Sequence, residues 1–160
     1  MHKCTSCKPC MQPYYVAVVE NVINKLMSDR EGNVDLIQPD DDGDYLLDNS
    51  PWRKSNDTPA PPCWVVVDSP RVEVLSLIAR DLKDTRAVLK EVNHLNSMVT
   101  GGKAFLSEGK LYISAGLPGQ AINEQSLFAL ITLVTNVSDD YGQMMATVHG
   151  GQYVSVSQQD

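Results

Sequence analysis

The sequence predicts an α+β protein with an antiparallel β-sheet of five to six strands and three helices, in the order α-β-β-β-β-α-β-β-α. Two observations support this prediction. Apolar residues recur at three- and four-residue steps in three segments, which is typical of amphipathic helices. Short β-branched and apolar runs, separated by turn residues, are typical of hairpins. The chain has 160 residues, about the size of one domain.

Clear stop signals separate the elements. Pro13 is a favourable first helical residue, and apolar positions recur behind it as far as Leu26. Four prolines between 49 and 62 block helix and strand, so we expect a surface loop there. Asn123 suits the N-cap of the last helix, which Gly150 ends. The predicted elements are a helix from 13 to about 29, strands at 34–37, 45–47, 63–67 and 72–79, a helix at 85–99, strands at 103–107 and 111–115, and a helix from 124 to about 149.

The same signals divide the chain into a cysteine-bearing tail (1–12), a single domain (13–151) and a carboxy-terminal tail (152–160). The first residues lack the apolar run of a secretory signal, so we expect a cytoplasmic location. No apolar run is long enough to span a bilayer. The net charge is −7, and no basic patch offsets it. Nucleic acid and anionic membranes are therefore not expected partners.

The middle strands carry the most functional information, because both of their faces are apolar. An antiparallel sheet with one solvated face alternates apolar and polar residues, whereas the run at 63–67 is apolar throughout. Three helices cannot easily cover two faces of such a sheet. Either the last helix wraps the second face, or a second copy or a partner buries it. The predicted partner-binding residues are Trp64, Val66, Leu75 and Leu77 on this face, with Trp52 in the proline loop either joining the contact or packing back over the sheet.

The amino-terminal cysteines offer a different chemistry. Cys4, Cys7 and Cys10 are soft ligands at a spacing that zinc or an iron–sulfur cluster tolerates, with His2 or Cys63 as a fourth. The second closely spaced ligand pair of a usual zinc site is missing, so a reduced tail is the competing interpretation. The Cys-x-x-Cys spacing also matches thiol redox proteins, but no strand precedes it as in a βαβ unit.

No catalytic constellation can be assembled from the sequence. The acidic run at 40–44 has Gln38 and Asn49 where a calcium loop needs acids. His94 and His149 lie near predicted helix ends, without the neighbouring nucleophile of a catalytic elbow. We therefore expect a protein that is not an enzyme and holds no cofactor, with zinc as the alternative.

Five motifs in the second half of the chain follow one another in a distinctive order. They are the strand at 72–78, Leu95-Asn96 near the end of the second helix, the hairpin centred on Gly109, Leu117-Pro118-Gly119, and the long helix ending in Gly150-Gly151. This order resembles the type III secretion chaperone and YbjN-like superfamily, in the form of small actinobacterial-type domains. The opening helix and the turn at 42–45 fit the first half of that pattern. The proline loop and the cysteine-bearing tail depart from it.

The resemblance implies a protein, frequently a homodimer, that binds peptide segments or partner proteins and is not an enzyme. We therefore predict a peptide- or protein-binding module that holds its partner on the apolar sheet face and forms a homodimer. The alternative is a zinc-binding regulatory protein that uses Cys4, Cys7 and Cys10.

Overall fold

A computed structural model describes residues 14–28, 35–37, 44–48, 60–68, 70–83 and 85–155 of the chain. Within these ranges the predicted fold class is confirmed: three α-helices accompany an antiparallel sheet. The elements are α1 (Tyr14–Ser28), β1 (Asp35–Ile37), β2 (Tyr45–Asp48), β3 (Cys63–Asp68), β4 (Arg71–Arg80), α2 (Arg86–Met98), β5 (Lys103–Ser107), β6 (Lys110–Pro118), a 3-10 turn (Gly119–Ala121), α3 (Glu124–His149) and β7 (Gln152–Tyr153).

The strands form one sheet in the order β1-β2-β3-β4-β6-β5. The ten-residue β4 is central, because it pairs with β3 on one side and with β6 on the other. After β4 the chain passes through α2, adds β5 at the edge and returns through β6 between β4 and β5. The long-range pairing of β4 with β6 therefore holds the two halves of the chain together.

All three helices contribute to a single hydrophobic core, which lies on one face of the sheet. The alternating residues Val72, Val74, Ser76 and Ile78 turn this face of β4 towards the helices, and each is almost fully buried. α3 packs on β4 and β6, and α1 packs on α3. The largest fully buried side chains include Ile23, Leu47, Ile78, Leu95, Leu111, Ile113, Ile122, Leu127, Ile131 and Met145.

Capping residues fix the ends of α2 and α3 where the sequence predicts them. The Thr85 side chain accepts a hydrogen bond from the Val88 N–H. The Asn123 side chain accepts from the Ser126 N–H at 2.9 Å, and the Ser126 hydroxyl accepts from the Asn123 N–H at 2.9 Å. These bonds satisfy N–H groups that have no partner inside the helix. Gly150 ends α3 in the left-handed conformation, with φ of 68°.

The carboxy terminus differs from the predicted tail. Gln152 and Tyr153 form β7, which pairs with Arg80 and Ala79 of β4. It lies on the same side of β4 as β3, beyond the end of that strand. Val154 and Ser155 are also buried. The segment from 152 to 155 is thus part of the domain, and the remaining residues of the predicted tail lie outside the described ranges. None of the described helices is long and apolar enough to cross a bilayer.

Candidate functional site

The candidate site is the side of the sheet that points away from the three helices, which we call the outer face. It carries the side chains that alternate with the buried ones along β2 to β6. The cross-strand register places them in rows. One row runs Leu46, Trp64, Leu75, Ser114, Lys103; the next runs Leu77, Tyr112, Phe105; and on the other side lies the row Val66, Glu73, Gly116.

Seven of these residues form a continuous apolar surface, which we call the apolar band. Its members are Leu46, Trp64, Val66, Leu75, Leu77, Phe105 and Tyr112. Each is half-buried, and none belongs to the core or to the partly buried residues packed against it. No described helix contributes to this face. The apolar band is therefore separate from the folding core, as a contact surface requires.

An aromatic pair ends the apolar band near the β5 edge. The rings of Phe105 and Tyr112 stack with centroids 5.1 Å apart and an interplanar angle of 14°. Lys103 Nζ lies 5.4 Å from the centroid of the Phe105 ring. The two rings therefore lie nearly parallel to each other, and the ammonium group of Lys103 lies beside them.

A polar pocket adjoins the apolar band at the end of the sheet where β4 begins and β6 ends. This polar pocket has a volume of about 180 Å³. It is lined by Arg71, Glu73, Gly101, Gly102, Lys103, Ser114, Ala115 and Gly116. Lys103 Nζ lies 3.2 Å from Glu73 Oε1. Two cations and one carboxylate thus give the pocket a net positive charge, in contrast to the acidic chain as a whole.

The charged form of Glu73 is favoured in this setting. Partial burial would raise the pKa of Glu73, but the nearby Ser114 hydroxyl and the positive charges of Lys103 and Arg71 outweigh it, so the pKa lies below its usual value. The Ser114 hydroxyl, although close to Glu73, completes no hydrogen bond of normal geometry. The polar pocket therefore contains a charged carboxylate and a buried hydroxyl that can still form a full hydrogen bond.

The edge of β5 is closed to another strand at one position. The side-chain amide of Asn96 accepts from the Ala104 N–H at 2.6 Å and donates to the Ala104 C=O at 2.9 Å. Asn96 thus occupies both backbone groups that an added strand would use there. At Ala104 the β5 edge therefore has no backbone group left for an added strand.

The structure brings together four of the predicted binding residues. Trp64 and Leu75 are direct cross-strand partners. Val66 and Leu77 lie in the neighbouring rows, and all four side chains are half-buried. Trp52 lies outside the described residues, as do Cys4, Cys7 and Cys10. Within the described part of the chain no group of His, Cys, Asp or Glu could hold a metal, and Cys63 is buried in the core.

Sequence reasoning missed Leu46, Phe105, Tyr112 and the polar pocket. A usable signal was present for the aromatic pair. Glu108 and Gly109 form a two-residue hairpin turn with φ of 51° and 75°. Such a turn fixes the register of β5 against β6, which puts Phe105 opposite Tyr112. The polar pocket gave no such signal, because it needs the distant pairing of β4 with β6.

A second apolar surface lies between α1 and α3. Val22, Leu26 and Phe128 line a groove of about 340 Å³, and the Phe128 side chain is 46% exposed. Lys25 Nζ pairs with Glu124 Oε1 at its rim. This groove is the natural comparison surface for any binding experiment, because it is also apolar and lies on the helices.

Known structures share this fold. A chain in the structure of the HopA1–SchA chaperone–effector complex aligns with a TM-score of 0.55 and 13% identity, over 81% of this chain and 93% of that chain. The crystal structure of YbjN from E. coli aligns with a TM-score of 0.56 and 10% identity, over 88% of this chain and 96% of that chain. At these identities the likeness shows the fold alone.

Comparison with curated protein sequences finds no match. The sequence model of one family, T3SS (YopN, CesT) and YbjN peptide-binding chaperone 1, matches residues 16–156, which is most of the chain. The match includes every described strand and helix except the first two residues of α1. The chain therefore belongs to the family of T3SS (YopN, CesT) and YbjN peptide-binding chaperones 1.

Proposed function

We propose that the protein binds an apolar peptide segment of a partner protein on the outer face and catalyses no reaction. The observation that carries the proposal is the apolar band, which lies opposite the helices and outside the core. Membership of a peptide-binding chaperone family supports the type of ligand. The chaperone–effector complex with the same fold supports a protein partner.

The expected driving force is the burial of apolar surface. Covering an apolar patch of about 400 Å² would contribute roughly 10 kcal/mol at ~25 cal/mol per Å². Association and the ordering of a flexible peptide cost several kcal/mol. If the cost is about 4 kcal/mol, roughly 6 kcal/mol remains. We therefore expect a dissociation constant on the order of tens of micromolar, with apolar side chains of the peptide against Trp64 and Leu75.

The test begins with a library of short random peptides displayed on phage and selected against the protein. Selected peptides are then synthesised, and their affinities are measured by fluorescence anisotropy. We expect apolar and aromatic residues to be enriched. Leu75→Thr and Leu77→Thr keep strand-forming residues but remove apolar contact, so each should weaken binding about tenfold.

Two helix variants control this experiment. Leu89→Gln removes an exposed leucine of α2, and Phe128→Gln removes the exposed aromatic of the α1–α3 groove. Neither should change the affinity. Equal binding by the Thr variants, or a loss of binding confined to Phe128→Gln, would place the site elsewhere and contradict the proposal. Circular dichroism of each variant shows whether its fold is intact.

We further propose that the protein is a homodimer, as the resemblance implies. One chain has a mass of 17.6 kDa, so light scattering should give about twice that value for the free protein. If the second copy covered the outer face, added peptide would reduce the mass to that of one chain. A dimer that survives saturation with peptide would show that the copies meet on another surface.

A further inference from the structure

We infer that the polar pocket binds a carboxylate of the docked peptide, either an Asp or Glu side chain or the peptide's carboxy terminus. That a peptide supplies this carboxylate rests on the proposed function. The inference itself depends on the charge, the hydrogen-bonding groups and the shape of the pocket, each of which points to an anion.

The charges of the polar pocket are unequal. The carboxylate of Glu73 forms an ion pair with Lys103, whose Nζ lies 3.2 Å from Glu73 Oε1. Among the described residues, the guanidinium of Arg71 makes no ion pair and no hydrogen bond, although its charge acts on Glu73. A guanidinium presents several N–H donors in a fork that matches the two oxygens of a carboxylate. A ligand with one negative charge would therefore neutralise the pocket.

The second observation is the Ser114 hydroxyl. Ser114 is 0% exposed, and its hydroxyl lies close enough to Glu73 to lower the pKa of that carboxyl, but its Oγ completes no hydrogen bond of normal geometry among the described residues. A buried hydroxyl without a full hydrogen bond is unfavourable, because it has lost its hydrogen bonds to water. A ligand oxygen that enters the pocket can accept this hydrogen bond, which would recover part of that cost.

Two of the residues that line the pocket are Gly102 and Gly116, which have no side chain to fill it. A Cβ on Gly116 would lie 3.3 Å from Arg71 Nη2 and 3.0 Å from the Val72 carbonyl oxygen. A Cβ on Gly102 would lie 2.9 Å from Val99 Cγ1. A side chain at position 116 would therefore crowd the guanidinium, whereas one at position 102 would press on Val99 beside the pocket. The absence of a side chain at position 116 leaves room beside the guanidinium of Arg71, which is exposed.

The position of the pocket makes it an extension of the apolar band. Ser114 is the cross-strand partner of Leu75, and Lys103 is the partner of Ser114. Neighbouring strands lie about 5 Å apart, and an extended peptide advances about 3.3 Å per residue. A peptide that crosses the strands with an apolar side chain on Leu75 would bring a carboxylate to the pocket about two or three residues later.

The first experiment tests the pocket without the peptide. ¹⁵N-labelled protein is titrated with N-acetylglutamate α-amide, which carries a side-chain carboxylate, and with N-acetylleucine, which carries a terminal carboxylate. Neutral N-acetylglutamine α-amide is the control ligand. The backbone amides of Gly101, Gly102 and Gly116 report on the pocket. We expect saturable shifts with at least one carboxylate, and the stronger of the two identifies the source.

Two charge-matched variants decide the role of Arg71. Arg71→Gln should weaken carboxylate binding at least tenfold. Lys110→Gln removes the same charge at the opposite end of β6 and should leave binding unchanged. The inference is overturned if neither carboxylate gives saturable shifts, if the neutral amide shifts the glycines equally, or if Arg71→Gln binds like the wild type.

The peptide selection separates this inference from the proposed function. We expect selected peptides to carry an acidic residue, or a free carboxy terminus, at a fixed distance from their apolar residues, and Arg71→Gln to abolish that preference. Apolar peptides without such a preference would keep the proposed function and overturn the inference. Carboxylate shifts at the glycines without any peptide binding would keep the pocket and remove the proposed function.

Discussion

A single side chain, that of Asn96, completes the outer edge of β5. Its amide group bonds both the N–H and the C=O of Ala104. The sequence marks Leu95-Asn96 only as part of a family-like motif. The two hydrogen bonds could not be predicted, because they depend on how α2 packs beside β5. Asn96 and Ala104 are eight residues apart in the sequence.

Asn96→Ala is expected to lower the free energy of unfolding by about 1–2 kcal/mol, because it removes two hydrogen bonds and leaves strand groups without partners. Urea denaturation measures this change. Asn93→Ala, at an exposed position of the same helix, corrects for the higher helix propensity of alanine. Equal stability of the two variants would show that Asn96 does not support the strand edge.

Glu73 gives a prediction about pH. Its folded-state pKa lies below the usual value of 4.5, so its contribution to stability is present above that pH and is lost as the pH falls through the folded-state value. Glu73→Gln should therefore be less stable than the wild type at neutral pH, and the difference should shrink in acid. Urea midpoints across the pH range measure it.

Glu91→Gln is the control for this pH dependence, because it removes the same charge from α2, and Glu91 does not line the polar pocket. The difference in stability between Glu91→Gln and the wild type should not change with pH in the way expected for Glu73→Gln. A Glu73→Gln difference that stays constant or grows as the pH falls would contradict the lowered pKa.

At the scale of elements, α3 packs tightly on the sheet at Gly142. A Cβ there would lie 2.9 Å from Tyr153 Cε2 and 3.1 Å from the Ile78 carbonyl oxygen. Helix propensity alone favours alanine over glycine by about 1 kcal/mol. Steric overlap with a backbone oxygen and with the β7 tyrosine opposes that gain and should exceed it.

Gly142→Ala is therefore expected to destabilise the protein by about 1–2 kcal/mol and to speed amide exchange in β7. Asn136→Ala, at an exposed position of the same helix, should instead stabilise it by a few tenths of a kcal/mol. Thermal unfolding measures both changes. A more stable Gly142→Ala protein would mean that α3 does not approach β4 this closely.

Most elements could be predicted because their signals are local. The caps at Thr85 and Asn123 lie within three residues of the groups they bond. The short β7 could not be predicted, because Gln152 and Tyr153 form a strand only through their pairing with β4. Which residues of β3 and β4 share a face could be predicted, because successive side chains of a strand point to opposite sides of the sheet. The polar pocket did not, since its residues come from separate parts of the chain.

At the scale of the whole molecule, the three helices cover one side of the sheet and leave the apolar band on the other. The two apolar faces of the strands therefore differ in role: one face stabilises the fold, and the other carries the apolar band that we propose as the partner-binding surface. Membership of a peptide-binding chaperone family supports the proposed kind of partner, and the outer face is the place that we propose for it.

The most direct test of this account is paramagnetic relaxation enhancement with a selected peptide that carries a nitroxide label. We predict that the bound label broadens the side-chain signals of Trp64, Leu75 and Leu77, and leaves those of Leu89 on α2 and Phe128 on α3 unchanged. Broadening centred on the helices, with an unaffected Trp64 indole signal, would contradict the assignment of the outer face as the binding surface.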